Sequence, residues 1–424
     1  MCRTFVPLVV ALCSFALLAG EGDPAPKPIL KKGARVAIIG DSITEQKLYS
    51  RYMELYLLAC MSHLDLNTIQ LGWSGERAGG FANRMNNDLL PFKPDIATTC
   101  YGMNDGSYQK YNPAIGAEYE KWMTQIVKRL KEANVAMVVG SPGAVDNFFF
   151  KRASPTPAEY NENLNTLGGI SKKLAVENDF NFANVHKTML DAMIKAQAAL
   201  GEGYDVCGRD GFHPGPNGHL LMAQAFLKGM GIDGQIGTIS VDMKGSAEAT
   251  EGHKVVSAAG GKVELESARW PFCFSGDDKS SGGTRSILPF CSFNQDLNRY
   301  VLVVKNLEGE KGKVTWGAES KVFTKAELEK GVNLTEHFFA SPFVPEWNKL
   351  EQKVSQKQGF ETVMIKELIT RFPNLARSFD GDKEAENAIE VLRKKLMEKH
   401  AKLATEVRAL VVPVKHTLVI AAEK

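Results

Sequence analysis

Between Arg35 and about Ile232, apolar runs of strand length alternate with helix-length periodic segments, and this alternation restricts the fold more than any other feature of the chain. The runs cover residues 36–39, 66–71, 95–100, 135–139 and 180–185. Helical patterns lie near 44–61, 79–90, 113–133, 157–177, 188–200 and 216–228. Near-continuous apolar strands joined by helical crossovers predict a five-stranded parallel sheet covered on both faces, a three-layer α/β/α sandwich over residues 30–232. Ligands bind such sheets beyond the carboxyl ends of the strands.

Beyond Ile232 the alternation stops, and the α/β unit is expected to end there. Gly- and Ser-rich sequence with short β-prone runs at 262–266, 300–304 and 313–316 predicts a small β-rich domain over 235–330. Residues 331–424 read as a helical region, with charged amphipathic helices near 347–370 and 383–409 and a β-like tail at 411–421. Whether those helices pack back on the α/β unit or pair with another chain is left open by periodicity alone. At the other end, Arg3, the apolar run 5–18 and the small residues Ala19 and Gly20 predict a signal peptide over residues 1–20 and a secreted or periplasmic protein. No other stretch approaches the ~18 apolar residues of a membrane span, so the mature chain is expected to be soluble, without an integral membrane segment.

Lys and Arg total 51 against 49 Asp and Glu, a formal charge of +2 that gives no footprint for nucleic acid. The expected partner is a small molecule or glycan. Of seven cysteines, Cys2 and Cys13 fall in the signal segment, and the remaining odd set cannot pair fully within one chain. Cys60 and Cys100 sit in apolar patterns, whereas Cys273 and Cys291 flank the Gly/Ser-rich loop 275–283 and could bridge. No CxxC spacing is present.

Three short stretches carry chemistry: Gly40-Asp41-Ser42 after the first strand, Gly102-Met103-Asn104-Asp105 after the third, and Asp210-Gly211-Phe212-His213 ahead of the closing helix. They supply a nucleophile in Ser42, a general base in His213, a carboxylate in Asp210 to orient it, and an amide donor for an oxyanion in Asn104. Asp41 and Asp105 read as backbone-bonding turn residues. Trp73 and Tyr101 flank the loops as candidate substrate-binding side chains, although aromatics at strand ends are as often core. Phe148, Phe149 and Phe150 form either a pocket wall or an ordinary packed loop. His219, six residues after His213, raises a metal pair, but no third ligand has sensible spacing and no metal or cofactor is expected.

Gly40-Asp41-Ser42, Gly75 within Leu71-Gly72-Trp73-Ser74-Gly75-Glu76, Gly102-x-Asn104-Asp105 and Asp210-x-x-His213-Pro214 together resemble the four ordered blocks of the SGNH (GDSL-like) hydrolases. The resemblance covers about residues 34–231 and implies a flavodoxin-like sandwich. It further implies a Ser42, His213 and Asp210 triad, and an oxyanion hole made by the N–H groups of Ser42 and Gly75 with the Asn104 amide. It implies metal-free hydrolysis of acyl esters, commonly acetyl groups on sugars or acyl chains on lipids. Ile43 stands where the older GDSL name has Leu, a conservative exchange. No Gly-x-Ser-x-Gly, Gly-x-Gly-x-x-Gly, P-loop or His-Glu-x-x-His pattern offers a rival. Acetylated carbohydrate is the favoured substrate. A lipase or lysophospholipase, and a glycan-binding or envelope-scaffold protein, are the alternatives.

Overall fold

The computed structural model describes residues 23–423, so the expected signal peptide lies outside the described residues. Strands β1 (Arg35–Gly40), β2 (Asn67–Gly72), β3 (Ile96–Cys100), β4 (Ala136–Gly140) and β5 (Asn181–Ala183) form an all-parallel sheet in the order β2-β1-β3-β4-β5. Seven helices connect and follow these strands: α1 (Ser42–Glu45), α2 (Tyr49–Leu55), α3 (Ala78–Asp88), α4 (Pro113–Glu132), α5 (Pro157–Glu177), α6 (Val185–Leu200) and α7 (Pro216–Gly229). Because successive strand residues point to opposite faces, Val36 and Ile38 join a core with α2, α6 and α7. Ala37 and Ile39 join a second core with α3 and α4. The three-layer sandwich is therefore present.

The first helix is not the single element expected over 44–61. Lys47 takes a left-handed φ of 60° and separates α1 from α2, and a π-helical turn at Tyr56–Cys60 follows. The interruption leaves Ser42 on one short turn at the strand end.

The rest of the chain is interleaved. Strands β6 (Gln235–Asp242), β7 (Ser246–Ala249), β8 (His253–Ala259), β9 (Lys262–Ser267), β10 (Arg299–Lys305), β11 (Lys311–Trp316), β12 (Glu319–Thr324), β13 (Val332–Asn333) and β14 (Val414–Glu423) make two sheets. Their orders are β13-β10-β6-β7 and β12-β11-β14-β9-β8. The β-like tail is thus β14, an inner strand between β11 and β9, and the β-rich part is completed only by the end of the chain. Short helices α8 (Phe293–Leu297) and α9 (Lys325–Lys330) decorate it.

Helices α10 (Val344–Thr362), α11 (Phe372–Arg377) and α12 (Lys383–Arg408) pack back on the sandwich. Met364, Ile365, Ile369, Phe372, Ile389 and Leu396 share a core with Ile69, Leu71 and Phe81. An edge strand presents unpaired backbone groups, and here α10 answers those of β2. Glu361 Oε2 accepts from Gln70 N (3.1 Å), and Lys357 Nζ donates to Thr68 O (2.9 Å).

Candidate active site

Ser42 opens α1 directly after β1. Its predecessor Asp41 caps the helix, Oδ1 accepting from Ile43 N at 3.0 Å. β2 passes close beside this turn because residue 72 is glycine: a Cβ there would stand 2.2 Å from Glu45 N. The loop before α7 is equally tight. Gly208 has φ +84°, and a Cβ on it would lie 1.9 Å from the His213 carbonyl oxygen.

These constraints bring the three distant side chains into one line. Ser42 Oγ lies 2.9 Å from His213 Nε2, and His213 Nδ1 lies 2.6 Å from Asp210 Oδ2. The other Asp210 oxygen accepts from His213 N (3.0 Å) and Phe212 N (3.1 Å). Partial burial works to raise the Asp210 carboxyl, but the bonds from the His213 ring and from these two N–H groups hold it below the usual range. An ionised Asp210 keeps the proton on Nδ1 and presents Nε2 as a base towards the hydroxyl.

The N–H groups of Ser42 and Gly75 have no acceptor among the described residues. Gly75 is exposed at φ +75°. The Asn104 amide nitrogen donates to Glu76 O at 3.1 Å and makes a long 3.4 Å contact with Asp41 Oδ2. Asp105 holds the facing loops together, its oxygens accepting from Ala78 N and Gly102 N, both at 3.0 Å. Burial pushes Asp41 up to about 7 and Asp105 up to about 6, so both take up a proton well above the usual carboxylate range.

The two aromatic candidates part company. Tyr101 is fully buried, stacks on Phe81 and donates to Glu76 Oε2 (2.7 Å), which removes it from any substrate surface. A tyrosine at a strand end in an apolar context was core. Trp73 stays half-buried on the loop 73–76, with the Arg84 guanidinium 5.0 Å and Lys366 Nζ 5.3 Å from its ring centre. Sequence reasoning missed two further rings. Phe212 lies 4.5 Å from the His213 ring centre, and Tyr108 stands edge-on to Phe212 at 5.2 Å with Arg152 over its face at 4.3 Å. Phe212 sits inside the Asp210-to-His213 motif and Tyr108 four residues after Asn104, so both were within reach. Of the three phenylalanines, Phe150 is buried against Tyr160 while Phe148 is exposed.

Residues 38–221 match the GDSL-like lipase/acylhydrolase family. The match spans the α/β unit of the chain and stops before its appended half. This hydrolase is 22% identical over 222 residues to an acetylxylan esterase of Geobacillus stearothermophilus, covering 47% of the chain and 95% of that protein. A crystal structure of that organism's acetylxylan esterase aligns at 21% identity with TM-score 0.41, over 48% of this chain and 97% of the other. A gut microbial diltiazem-metabolizing enzyme aligns at TM-score 0.73 and 20% identity over 95% of this chain and all of that one, so the appended half recurs with the sandwich as one architecture. The hydrolase is a serine carboxylic ester hydrolase.

The remaining candidates have structural places in it. His219 is fully buried, its Nδ1 accepting from Tyr49 N (3.2 Å) and its Nε2 donating to Gln46 Oε1 (2.8 Å), and burial pushes it down to about 3. No cluster of three or more His, Cys, Asp or Glu among the described residues has the geometry to hold a metal. Cys273 and Cys291 are free thiols, Cys273 against Pro271 O and Cys291 against Leu288 O.

Proposed function

We propose that the protein is an exported esterase that removes short acyl groups, acetyl above all, from carbohydrate, with Ser42 as nucleophile, His213 as general base and Asp210 as the group that orients it. The observation that carries this reading is the continuous relay of 2.9 and 2.6 Å from Ser42 through His213 to Asp210 at the strand ends. His213 Nε2 takes the hydroxyl proton as Ser42 Oγ attacks the ester carbonyl. The resulting oxyanion is held by the N–H groups of Ser42 and Gly75 and by the Asn104 amide. Collapse releases the alcohol, which receives the proton from His213 and leaves acyl-Ser42. Water, deprotonated by the same imidazole, then frees the acid.

The preference for a sugar leaving group rests on the rim and on the acetylxylan esterase relative. Trp73, Tyr108 and Phe212 offer aromatic surface, and the Arg152 guanidinium supplies a polar group over the Tyr108 face. Flat apolar faces next to hydrogen-bonding groups suit a pyranose better than a long acyl chain. Export rests on the N-terminal sequence, Arg3 followed by the apolar run 5–18.

The test is turnover of chromogenic esters of graded chain length and of acetylated xylo-oligosaccharides. Ser42→Ala should lower kcat on the order of 10⁴- to 10⁶-fold, by the effect of removing a triad nucleophile, with the melting temperature kept. Undiminished turnover in Ser42→Ala overturns the mechanism. Preference for acyl chains of about eight carbons or more would replace the sugar esterase by a lipase.

A further inference from the structure

We infer that Lys366, in the appended C-terminal half, is a positioning residue for the oxyanion loop and acts through Glu45. The inference rests on the reading of Ser42 as nucleophile. Glu45 lies on α1 three residues after Ser42, and its carboxylate joins α1 to the loop 73–76 and to the turn that carries Lys366. Oε2 accepts from Ser74 N, the residue before the oxyanion donor Gly75. Both oxygens accept from Lys366 Nζ, at 2.9 and 3.0 Å. The same ammonium faces the Trp73 ring at 5.3 Å, so Lys366 touches the loop directly as well as through the carboxylate.

Gly75 is held through its neighbours: on the far side Glu76 is fixed by Arg84 (2.7 and 2.8 Å), Tyr101 (2.7 Å) and the Asn104 amide on its carbonyl (3.1 Å), so what Glu45 governs is the near side. Within residues 73–76, Trp73 N bonds Gly40 O (3.0 Å) and Glu76 N bonds Trp73 O (3.1 Å). Ser74 N goes to Glu45, and Gly75 at φ +75° is the hinge between them. Glu45 must therefore be ionised and fixed for Ser74, the residue that leads into Gly75, to be fixed. Its side chain is 18% exposed and that of Lys366 23%, so the pair is sheltered from water. Partial burial works to raise Glu45, but the Ser74 and Lys366 hydrogen bonds outweigh it and keep the carboxyl below its ordinary range.

Lys366 is itself held in place. It stands in the π-helical turn Val363–Leu368 that continues α10, between Ile365, which is buried in the sandwich core, and the half-buried Leu368 packed against it. Just before it, Thr362 Oγ1 accepts from Gln70 Nε2 at 2.7 Å, registering α10 on β2, the strand that runs into the loop. A π turn places its residues on a face that a regular helix would turn away, and such turns are frequent at functional sites. Lys366 does not reach the reacting atoms. Its effect is on where the Gly75 N–H points when charge develops on the carbonyl oxygen.

The experiment uses the full mature chain and the variants Lys366→Met, Lys366→Arg, Glu45→Gln and Lys366→Met/Glu45→Gln. Readouts are kcat and KM on a chromogenic acetate, inhibition by a phenylboronic acid that forms a tetrahedral adduct on Ser42, and the melting temperature. Lys366→Met should lower kcat about tenfold, a fraction of the roughly 10²- to 10³-fold carried by a whole oxyanion donor, with KM within about twofold because the ground-state carbonyl draws less on that donor. Boronate affinity should fall by the same factor as kcat/KM. Arginine should restore most of the loss, and the double variant should be no worse than the poorer single variant, as two members of one relay require.

Wild-type kcat in Lys366→Met overturns the inference, as does a loss confined to KM or to melting temperature, or an arginine variant no better than methionine. A wild-type protein with no Ser42-dependent turnover overturns the esterase reading itself and takes the inference with it. That result is distinct from Ser42-dependent turnover that Lys366→Met leaves untouched.

Discussion

Lys357 is the position where the appended helices can be loosened most sharply by one change. Its side chain is 1% exposed, with Nζ 2.9 Å from Glu54 Oε1, 2.6 Å from Glu361 Oε1 and 2.9 Å from the Thr68 carbonyl on the sheet edge. Both carboxylates are as buried, at 2% and 0%. Lys357→Met keeps the volume of the stem but leaves two buried carboxylates without their cation and Thr68 O without its donor. Removing one partner of such a pair costs about 3–5 kcal/mol, more than the pair gains over an apolar replacement, because the remaining charge stays desolvated. The assay is urea unfolding followed by tryptophan fluorescence, with Trp347 on α10 as a local reporter. The loss should also depend on pH. Burial works to raise Glu361, yet Lys357 and His400, whose Nε2 is 2.7 Å away, hold it below its ordinary value of 4.5. Its folded-state value being depressed, the stability it contributes is present above about pH 4.5 and is lost as pH falls through that lower value. Without Lys357 the same carboxyl takes up its proton at higher pH, so the gap between variant and wild type should narrow from pH 7 to pH 5. A gap at pH 7 below about 1 kcal/mol, the range of an exposed pair, would refute the reasoning. So would a gap of constant size across that interval.

Asp210→Asn should lower kcat by up to about 10⁴-fold while KM stays near wild type, since the amide no longer fixes the productive His213 tautomer. Equal turnover in steady-state ester hydrolysis would show that another group orients the ring. His416 lies in a buried network, with Nε2 2.9 Å from Ser267 Oγ and Nδ1 accepting from Trp316 Nε1 at 3.2 Å, and burial first, then nearby His253, pushes it down to about 3. An unfolded chain protonates this imidazole near its ordinary 6.5 and the folded chain resists until about 3, so stability is full above pH 6.5 and declines as pH drops. His416→Gln should cost stability at pH 7 but flatten the fall of the urea midpoint between pH 7 and pH 5. A slope as steep as wild type's would place the acid sensitivity elsewhere.

What the sequence disclosed follows from which interactions are local. The five strands were legible because each is an apolar run buried on both faces, and a parallel strand flanked by helices writes that pattern into consecutive residues. Ser42, Asn104, Asp210 and His213 stood out as candidates because each stands in a tight turn at a strand or helix end, where glycine and asparagine mark the backbone. Tyr101 was misread for the same reason that makes it tolerable there: its hydroxyl has a buried acceptor in Glu76, which no local pattern reveals. The split of the first helix at Lys47 was hidden because a left-handed lysine has no compositional signature, unlike a glycine in the same conformation. The tail 411–421 read as β-prone, but its neighbours β9 and β11 lie more than 90 residues away, and strand order is a tertiary fact.

The least legible feature is why the second half of the chain exists. Read as a sequence, residues 30–232 look self-sufficient, and a fragment ending near residue 235 would hold every motif. The sheet argues otherwise, because its β2 edge is closed by side chains of α10: Glu361 on Gln70 N, Thr362 on Gln70 Nε2 and Lys357 on Thr68 O. A fragment without α10 would leave those backbone groups to water and uncover Ile69 and Leu71 beside them, a flat parallel edge of the kind that pairs with other chains. Strand β14 makes the helices hard to shed, since the chain must cross them to reach its inner place in the second β-sheet and is fastened at both ends of the crossing. The loop 73–76, which carries the proposed oxyanion donor Gly75, emerges from the strand so protected. Glu45 and Lys366, 321 residues apart, meet there because the fold needed a cover for β2, and a cover that reaches the strand's carboxyl end necessarily reaches the loop that follows it.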